Sequence, residues 1–230
     1  MKIKKKIANF YNWLKVFVKK TYIVIHYSSG TIDTDENNGE YFAREQVGVS
    51  ANVFVDDDSA TISVPLDCVA YHCGKDYSNG KAPYWGKCTN RNSIGIEMCG
   101  IANDKVLDMR NPTIKNTVNY TKKLMKKYGI PRSRVVRHYD VCGKICPAPF
   151  VNHPLAWDCF KLNLLTSYKV RTTKAGVKAR TKINGKPSKS LKKGKVVTIV
   201  STYYQDEQLW GKTAKGFIVC LKNTNYNKYL

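Results

Sequence analysis

The sequence predicts an α/β domain with a central mixed β-sheet flanked by helices, followed by a small all-β barrel. Two observations predict it. Up to about residue 160, runs of β-branched and aromatic residues alternate with segments of helical period, the pattern of a sheet layered with helices. Past residue 166 the chain turns to short alternating runs separated by Gly, Pro and Asn, with no helical period, as in a small barrel. The expected organisation is a basic N-terminal helix (1–20), an α/β domain (21–163), a linker (164–170) and a barrel (171–230).

Taken in order, Ile3, Ile7, Phe10, Leu14 and Phe17 recur at steps of four and three, which predicts an amphipathic helix. Its apolar stripe would pack on the following domain or lie on an anionic membrane. Lys15 breaks the apolar run and no small-residue cleavage site follows, so the segment does not read as a signal peptide, and it is too short and charged to span a bilayer. "TYIVIHYSS" (21–29) predicts a buried strand with His26 near its end. "GEYFAREQVG" (39–48) predicts a helix, and "ANVFVDDDSATISVPL" (51–66) two strands around an acidic turn. "APYWGKCTNRN" (82–92) reads as a loop and "SIGIEMCG" (93–100) as another buried strand. Asn111 and Pro112 open the clearest helix, with Ile114, Val118, Thr121, Met125 and Tyr128 on one face and Gly129 and Pro131 ending it. "SRVVRHYD" (133–140) returns as a strand with His138 near its end.

The formal charge is +22 over 230 residues and lies at the ends. Residues 1–20 carry +7, residues 161–230 carry +14, and everything between carries +1. Such a field draws a protein toward a polyanion: nucleic acid, an anionic membrane or an acidic cell wall. Eight cysteines are too few and too irregular for a disulfide scaffold, so most are expected reduced, with Cys68 and Cys73 one local pair close enough to bridge.

The chemistry concentrates in "RHYDVCGKICP" (137–147). A catalytic zinc needs three protein ligands and one open position. His26 and His138, near the ends of separate strands, could converge with Cys146 to supply them. On spacing alone, two core histidines and a buried thiol fit as well, and a Cys142–Cys146 disulfide or thiol centre is a further reading. Glu97 tilts the balance. A glutamate among Ile, Gly and Met on an interior strand is costly to bury unless paired or functional, and beside a metal it could act as a general base. Lys144, two residues before Cys146, could stabilise an oxyanion.

"YIVIHYSS", "VAYHCG", "NSIGIEMCG" and "RHYDVCGKICP", in this order, resemble the motifs of the zinc-dependent N-acetylmuramoyl-L-alanine amidases of the peptidoglycan-recognition-protein type, found in phage endolysins and bacterial autolysins. The resemblance covers roughly residues 20–160. It implies His26, His138 and Cys146 as zinc ligands, Glu97 as catalytic acid/base, Lys144 as the transition-state residue, and His72 in the substrate groove. Some members carry a catalytic tyrosine where this chain has Ala51 and Asn52, which raises the weight on Glu97. The C-terminal segment is similar to bacterial SH3-type wall-binding domains, with Tyr203, Tyr204 and Trp210 as ligand-facing aromatics or, for Trp210, core. The resemblance implies a monomeric peptidoglycan hydrolase, made in the cytoplasm and acting on the wall, with Zn2+ as cofactor. A non-catalytic peptidoglycan binder of the same fold is the first alternative. A nucleic-acid-binding protein is the second, although no nucleic-acid motif is present and no nucleic-acid partner is expected.

Overall fold

The structure is a computed structural model that describes residues 1–223; residues 224–230, the end of the expected barrel, lie outside the described residues. The chain forms two compact units, one of residues 1–105 and 112–152, the other of residues 106–111 and 153 onward.

The first unit is built on a six-stranded mixed sheet. Its strands are β1 (Lys2–Lys5), β3 (Tyr22–Tyr27), β4 (Val53–Val55), β5 (Ser59–Ile62), β7 (Ser93–Met98) and β8 (Val135–Arg137), in the order β1-β5-β4-β7-β3-β8. A short pair, β2 (Trp13–Leu14) with β6 (Val69–Ala70), stands apart. β3, at the centre of the parallel block with β7 and β8 beside it, buries Ile23, Val24 and Ile25 completely. Strands covered on both faces read as continuous apolar runs, which is why "YIVIHY" was legible as one. The acidic turn between the antiparallel β4 and β5 is as expected.

Helix α1 runs Asp35–Arg44, earlier than the expected 39–48. The Thr34 hydroxyl accepts from the Asn37 amide, and Asp35 and Glu36 fill the first turn, so the cap sets the start ahead of the apolar residues. Helix α2 runs Pro112–Tyr128 and buries Ile114, Val118, Thr121 and Leu124, leaving Met125 and Tyr128 half-buried. Two short helices follow β8, α3 (His138–Cys142) and α4 (Ala148–Asn152).

The N-terminal amphipathic helix does not form. Residues 2–5 are a strand pairing in parallel with β5, residues 10–12 make one 3-10 turn, and residues 13–14 are β2. The unpaired edge of β5 is a backbone template that residues 2–5 satisfy, outweighing a helical pattern in a lysine-rich segment. All five residues of the supposed stripe, Ile3, Ile7, Phe10, Leu14 and Phe17, are exposed, whereas Ala8 and Trp13 are buried. Lys20 is buried as well, its ammonium donating to the carbonyls of Cys68 and Arg91, and burial lowers its pKa to about 8.

The second unit is a six-stranded antiparallel sheet. It comprises β9 (Tyr168–Arg171), β10 (Val177–Arg180), β11 (Pro187–Leu191), β12 (Val196–Gln205), β13 (Gln208–Thr213) and β14 (Ile218–Cys220), in the order β11-β10-β14-β13-β12-β9. Its boundary is not the expected 164–170. Helix α5 (Pro154–Asn163) belongs to this unit, because the Asn163 amide donates to the Thr202 carbonyl at 2.8 Å and accepts from the Thr202 amide at 2.9 Å. Residues 106–111 join it through Asp108, which accepts from the Tyr204 amide, and Arg110, which donates to the Tyr204 carbonyl. Tyr204, read as ligand-facing, is buried, and Trp210 is buried as its core reading has it, while Tyr203 is half-buried near the Arg110 guanidinium.

All eight cysteines are free. Cys68 and Cys73, which the sequence leaves open as a local pair, are not bridged: Cys68 packs with Ala8, Trp13, Val64 and Ala70, and Cys73 packs with Cys88, Val24, Val136 and Val141.

Candidate active site

Register brings the first two residues of the site together. β3 and β7 pair in parallel with His26 directly opposite Glu97, so the two side chains emerge side by side from one face of the sheet. Nδ1 of His26 lies 3.8 Å from Oε1 of Glu97.

His138 arrives by a different route from the expected strand. β8 stops at Arg137 and His138 is the first residue of α3. Asp140 ends the strand: its carboxylate accepts from the Arg137 amide and from the Arg137 guanidinium, a cap that turns the chain into helix at His138. The guanidinium also donates to the Phe150 carbonyl. Gly143, at φ 82°, ends α3 in the left-handed conformation that glycine adopts without cost. Residues 144–146 then return so that the Tyr139 amide donates to the Cys146 carbonyl. The eleven-residue segment is thus a helix, a glycine cap and a return loop that holds Cys146 beside His138.

Ligand atoms of His26, His138 and Cys146 all lie within 4.8 Å of one another, and all three residues are buried. The rings of His26 and His138 are 4.4 Å apart, and Sγ of Cys146 is 3.8 Å from Nδ1 of His26. Two further atoms are buried without a hydrogen-bond partner, Nδ1 of His138 and Oε2 of Glu97. Orphaned buried polar atoms are costly. Two imidazoles and a thiol that converge beside such atoms fit a zinc ion in chemistry and number.

The electrostatics agree with a neutral pair of imidazoles. Burial, with His138 and His72 nearby, holds His26 well below its ordinary value, and burial lowers His138 to about 3. Both rings therefore keep lone pairs for coordination. Burial pushes the Cys146 thiol up, so without a cation it keeps its proton. Burial also raises Glu97 to about 8, against the opposing pull of Lys144. Lys144 is exposed at the rim, close enough for its charge to act on His26, His138, Glu97 and Cys146.

His72, expected in a substrate groove, is half-buried and lies against His26. Its Nδ1 is 3.0 Å from Nε2 of His26 and its Nε2 is 3.0 Å from the Ser93 hydroxyl, which donates to the Thr89 carbonyl. Gly95 makes room for the ring: a Cβ there would sit 2.8 Å from the His72 ring. Asn90 accepts from the amides of His72 and Cys73, fixing the backbone beneath. Ser93 and Gly95 escaped the sequence reading, although the glycine inside "SIGIEM" signalled a close approach. Ala51 and Asn52, at the place of the tyrosine branch, are buried, and the side-chain oxygen of Asn52 accepts from the Gly95 amide.

Comparison with known proteins agrees with this geometry. A family profile described as N-acetylmuramoyl-L-alanine amidase matches residues 17–149. The N-acetylmuramoyl-L-alanine amidase BlyA of Bacillus subtilis (strain 168) is 36% identical over 146 residues, covering 60% of this chain and 39% of that protein. CwlH, an N-acetylmuramoyl-L-alanine amidase of the same organism, is 32% identical over 148 residues, covering 64% of this chain and 53% of that protein. The chain thus spans only about two-fifths to half of these relatives. Among solved structures, PlyL superposes with a TM-score of 0.59 at 26% identity, covering 71% of this chain and 97% of PlyL. The catalytic domain of XlyA superposes with a TM-score of 0.56 at 25% identity, covering 72% of this chain and 100% of that domain. With the profile spanning five of the six strands of the sheet, His26, His138, Cys146 and Glu97, the chain belongs to the N-acetylmuramoyl-L-alanine amidase family.

Proposed function

We propose that this protein is a zinc peptidoglycan hydrolase that cleaves the amide between the lactyl group of N-acetylmuramic acid and the L-alanine of the stem peptide. The observation that carries the proposal is the meeting of His26, His138 and Cys146 with Glu97 directly across the β3–β7 pair. His26, His138 and Cys146 would hold the zinc. When bound, zinc supplies Lewis acidity, acidifying water and polarising the scissile carbonyl.

The chain's own groups do the rest. Glu97 takes the proton of the attacking water and passes it to the leaving amine, the general acid–base role its position beside His26 allows. Lys144, at the rim, presents positive charge to the oxyanion that develops on the carbonyl. His72 and Ser93 hold the His26 ring. The second unit, similar in sequence to SH3-type wall-binding domains and carrying most of the basic charge, would keep the enzyme on an anionic wall and raise the local substrate concentration.

The test is zinc content of the purified chain, followed by digestion of cell walls and mass spectrometry of the fragments. The expected result is about one zinc per chain and new L-alanine amino ends with intact glycan strands. A zinc-loaded chain that binds walls without releasing amino ends is a peptidoglycan binder, and one that prefers DNA to wall in a salt-sensitive way is a nucleic-acid binder; either outcome overturns the proposal.

A further inference from the structure

Cys73 and Cys88 are a pair of buried thiols that the proposed chemistry does not use. They are 2% and 1% exposed and pack together among Val24, Val136 and Val141. Both also line one cleft of about 360 Å³, together with Gly74, Trp85, Gly86 and residues 89–91, which gives a small reagent a way in.

The segment between them, residues 74–87, leans on the site. Its Tyr77 amide donates to the Cys142 carbonyl at 2.7 Å and its Tyr84 amide to the Asp140 carbonyl at 3.0 Å, so it is hydrogen-bonded to α3 at two points. Ser78 approaches Gly143 so closely that a Cβ there would lie 2.7 Å from the Ser78 Cβ. α3 begins with His138, and the loop after it carries Lys144 and Cys146.

We propose that Cys73 and Cys88 form a redox-responsive disulfide site that closes the 74–87 loop at its base and stiffens its support of α3. The co-reactant is a low-molecular-weight disulfide such as glutathione disulfide. The Cys73 thiolate attacks one sulfur of the reagent, forming a protein–glutathione mixed disulfide and expelling one glutathione thiolate. The Cys88 thiol gives its proton to water and attacks the Cys73 sulfur, expelling the second. Two protein thiols are oxidised, one reagent disulfide is reduced to two thiols, and no other electron donor or acceptor is needed. Cys73 is the attacking member because the Cys88 thiol packed against it and the neighbouring His72 ring hold its thiol below the ordinary range and favour its thiolate. A closed loop has fewer unfolded conformations, so the bridged form is the more stable one.

The experiment uses the full chain, fully reduced and then incubated with glutathione disulfide, with alkylation and peptide mapping as the readout. A linked Cys73–Cys88 peptide is expected, absent from Cys88→Ser. The oxidised wild type is expected to melt several degrees above the reduced wild type, and its amides in residues 138–142 to exchange hydrogen more slowly. Cys88→Ser should show neither difference. Both thiols alkylating freely after native oxidation, or linkage to other cysteines, overturns the proposal. A bridge that leaves melting and exchange unchanged overturns the stiffening. None of these readouts depends on amidase activity or zinc, so this inference and the proposed function fail separately.

Discussion

Nε2 of His26 lies 3.0 Å from Nδ1 of His72, and this contact sets which nitrogen of His26 is free for a metal. The Ser93 hydroxyl spends its proton on the Thr89 carbonyl, so it accepts from Nε2–H of His72. Nδ1 of neutral His72 is then an acceptor, and Nε2 of His26 must carry the proton between them. That leaves the lone pair of His26 on Nδ1, the atom 3.8 Å from both Cys146 Sγ and Glu97 Oε1. A carbonyl four positions before Ser93 thus fixes the tautomer of a candidate ligand on another strand, as outer hydrogen-bond partners do for ligating histidines generally.

Breaking this relay is expected to weaken metal binding without unfolding the chain. His72→Ala and Ser93→Ala should each lower zinc affinity by about 10–100-fold. Competition with a chromogenic chelator measures the loss, and circular dichroism checks the fold. Unchanged affinity in both variants would assign His72 to substrate contact instead.

Gly95→Ala tests the same contact from below. The added methyl would lie 2.8 Å from the His72 ring, with the ring wedged between it, His26 and Ser93. Overpacking of this kind costs about 1–3 kcal/mol. Chemical denaturation should show that loss, and zinc affinity should fall in parallel with His72→Ala. A stability loss without an affinity loss would mean that the ring yields elsewhere.

The two cysteines of the 137–147 segment should separate cleanly. Cys146 belongs to the ligand cluster, whereas Cys142 is fully buried at the end of α3 and outside it. Cys146→Ser is expected to abolish zinc retention by dialysed protein, read by metal analysis. Cys142→Ser should retain zinc and lose only about 1–2 kcal/mol of stability from a polar group in an apolar place. Equal loss of zinc from both would return the segment to the disulfide reading.

What the sequence made legible was whatever repeats with the period of a strand or helix, or recurs as a motif. β3, β7 and α2 carry clear apolar patterns, and His26, His138, Cys146 and Glu97 stood in motifs. The N-terminal segment was misread because its pattern is helical but its partner, the open edge of β5, lies 57 residues on from Lys2 in the register and leaves no local trace. The contacts of His72 with His26 and Ser93 leave no local trace because they are 46 and 21 residues away in the chain. The boundary between the units was misplaced for a related reason: α5 is an ordinary helical pattern, and only the Asn163–Thr202 bonds show which sheet it joins.

Asp35 and Asp56 form a buried carboxyl pair separate from the candidate zinc ligands. They are 1% and 7% exposed, with the Asp35 backbone amide donating to the Asp56 carboxylate, Ser59 and Thr61 donating to the Asp35 carboxylate, and the amides of Asp58 and Ser59 donating to Asp56. Burial and the Asp56 carboxylate push Asp35 up to about 6, while its hydrogen bonds hold Asp56 below the usual carboxylate range. The folded chain therefore keeps a proton on Asp35 that the unfolded chain releases near 3.8. The stability this proton brings is fully present below 3.8 and is lost as pH rises through about 6, whereas the contribution of Asp56 is lost only as pH falls below 3.8. Asn at position 35 imitates the protonated acid at every pH, since its amide can donate to Asp56. Thermal melts from pH 4 to pH 7 should show Asp35→Asn gaining on the wild type as pH rises through about 6. A melting difference that does not change with pH would mean that the two carboxylates ionise independently.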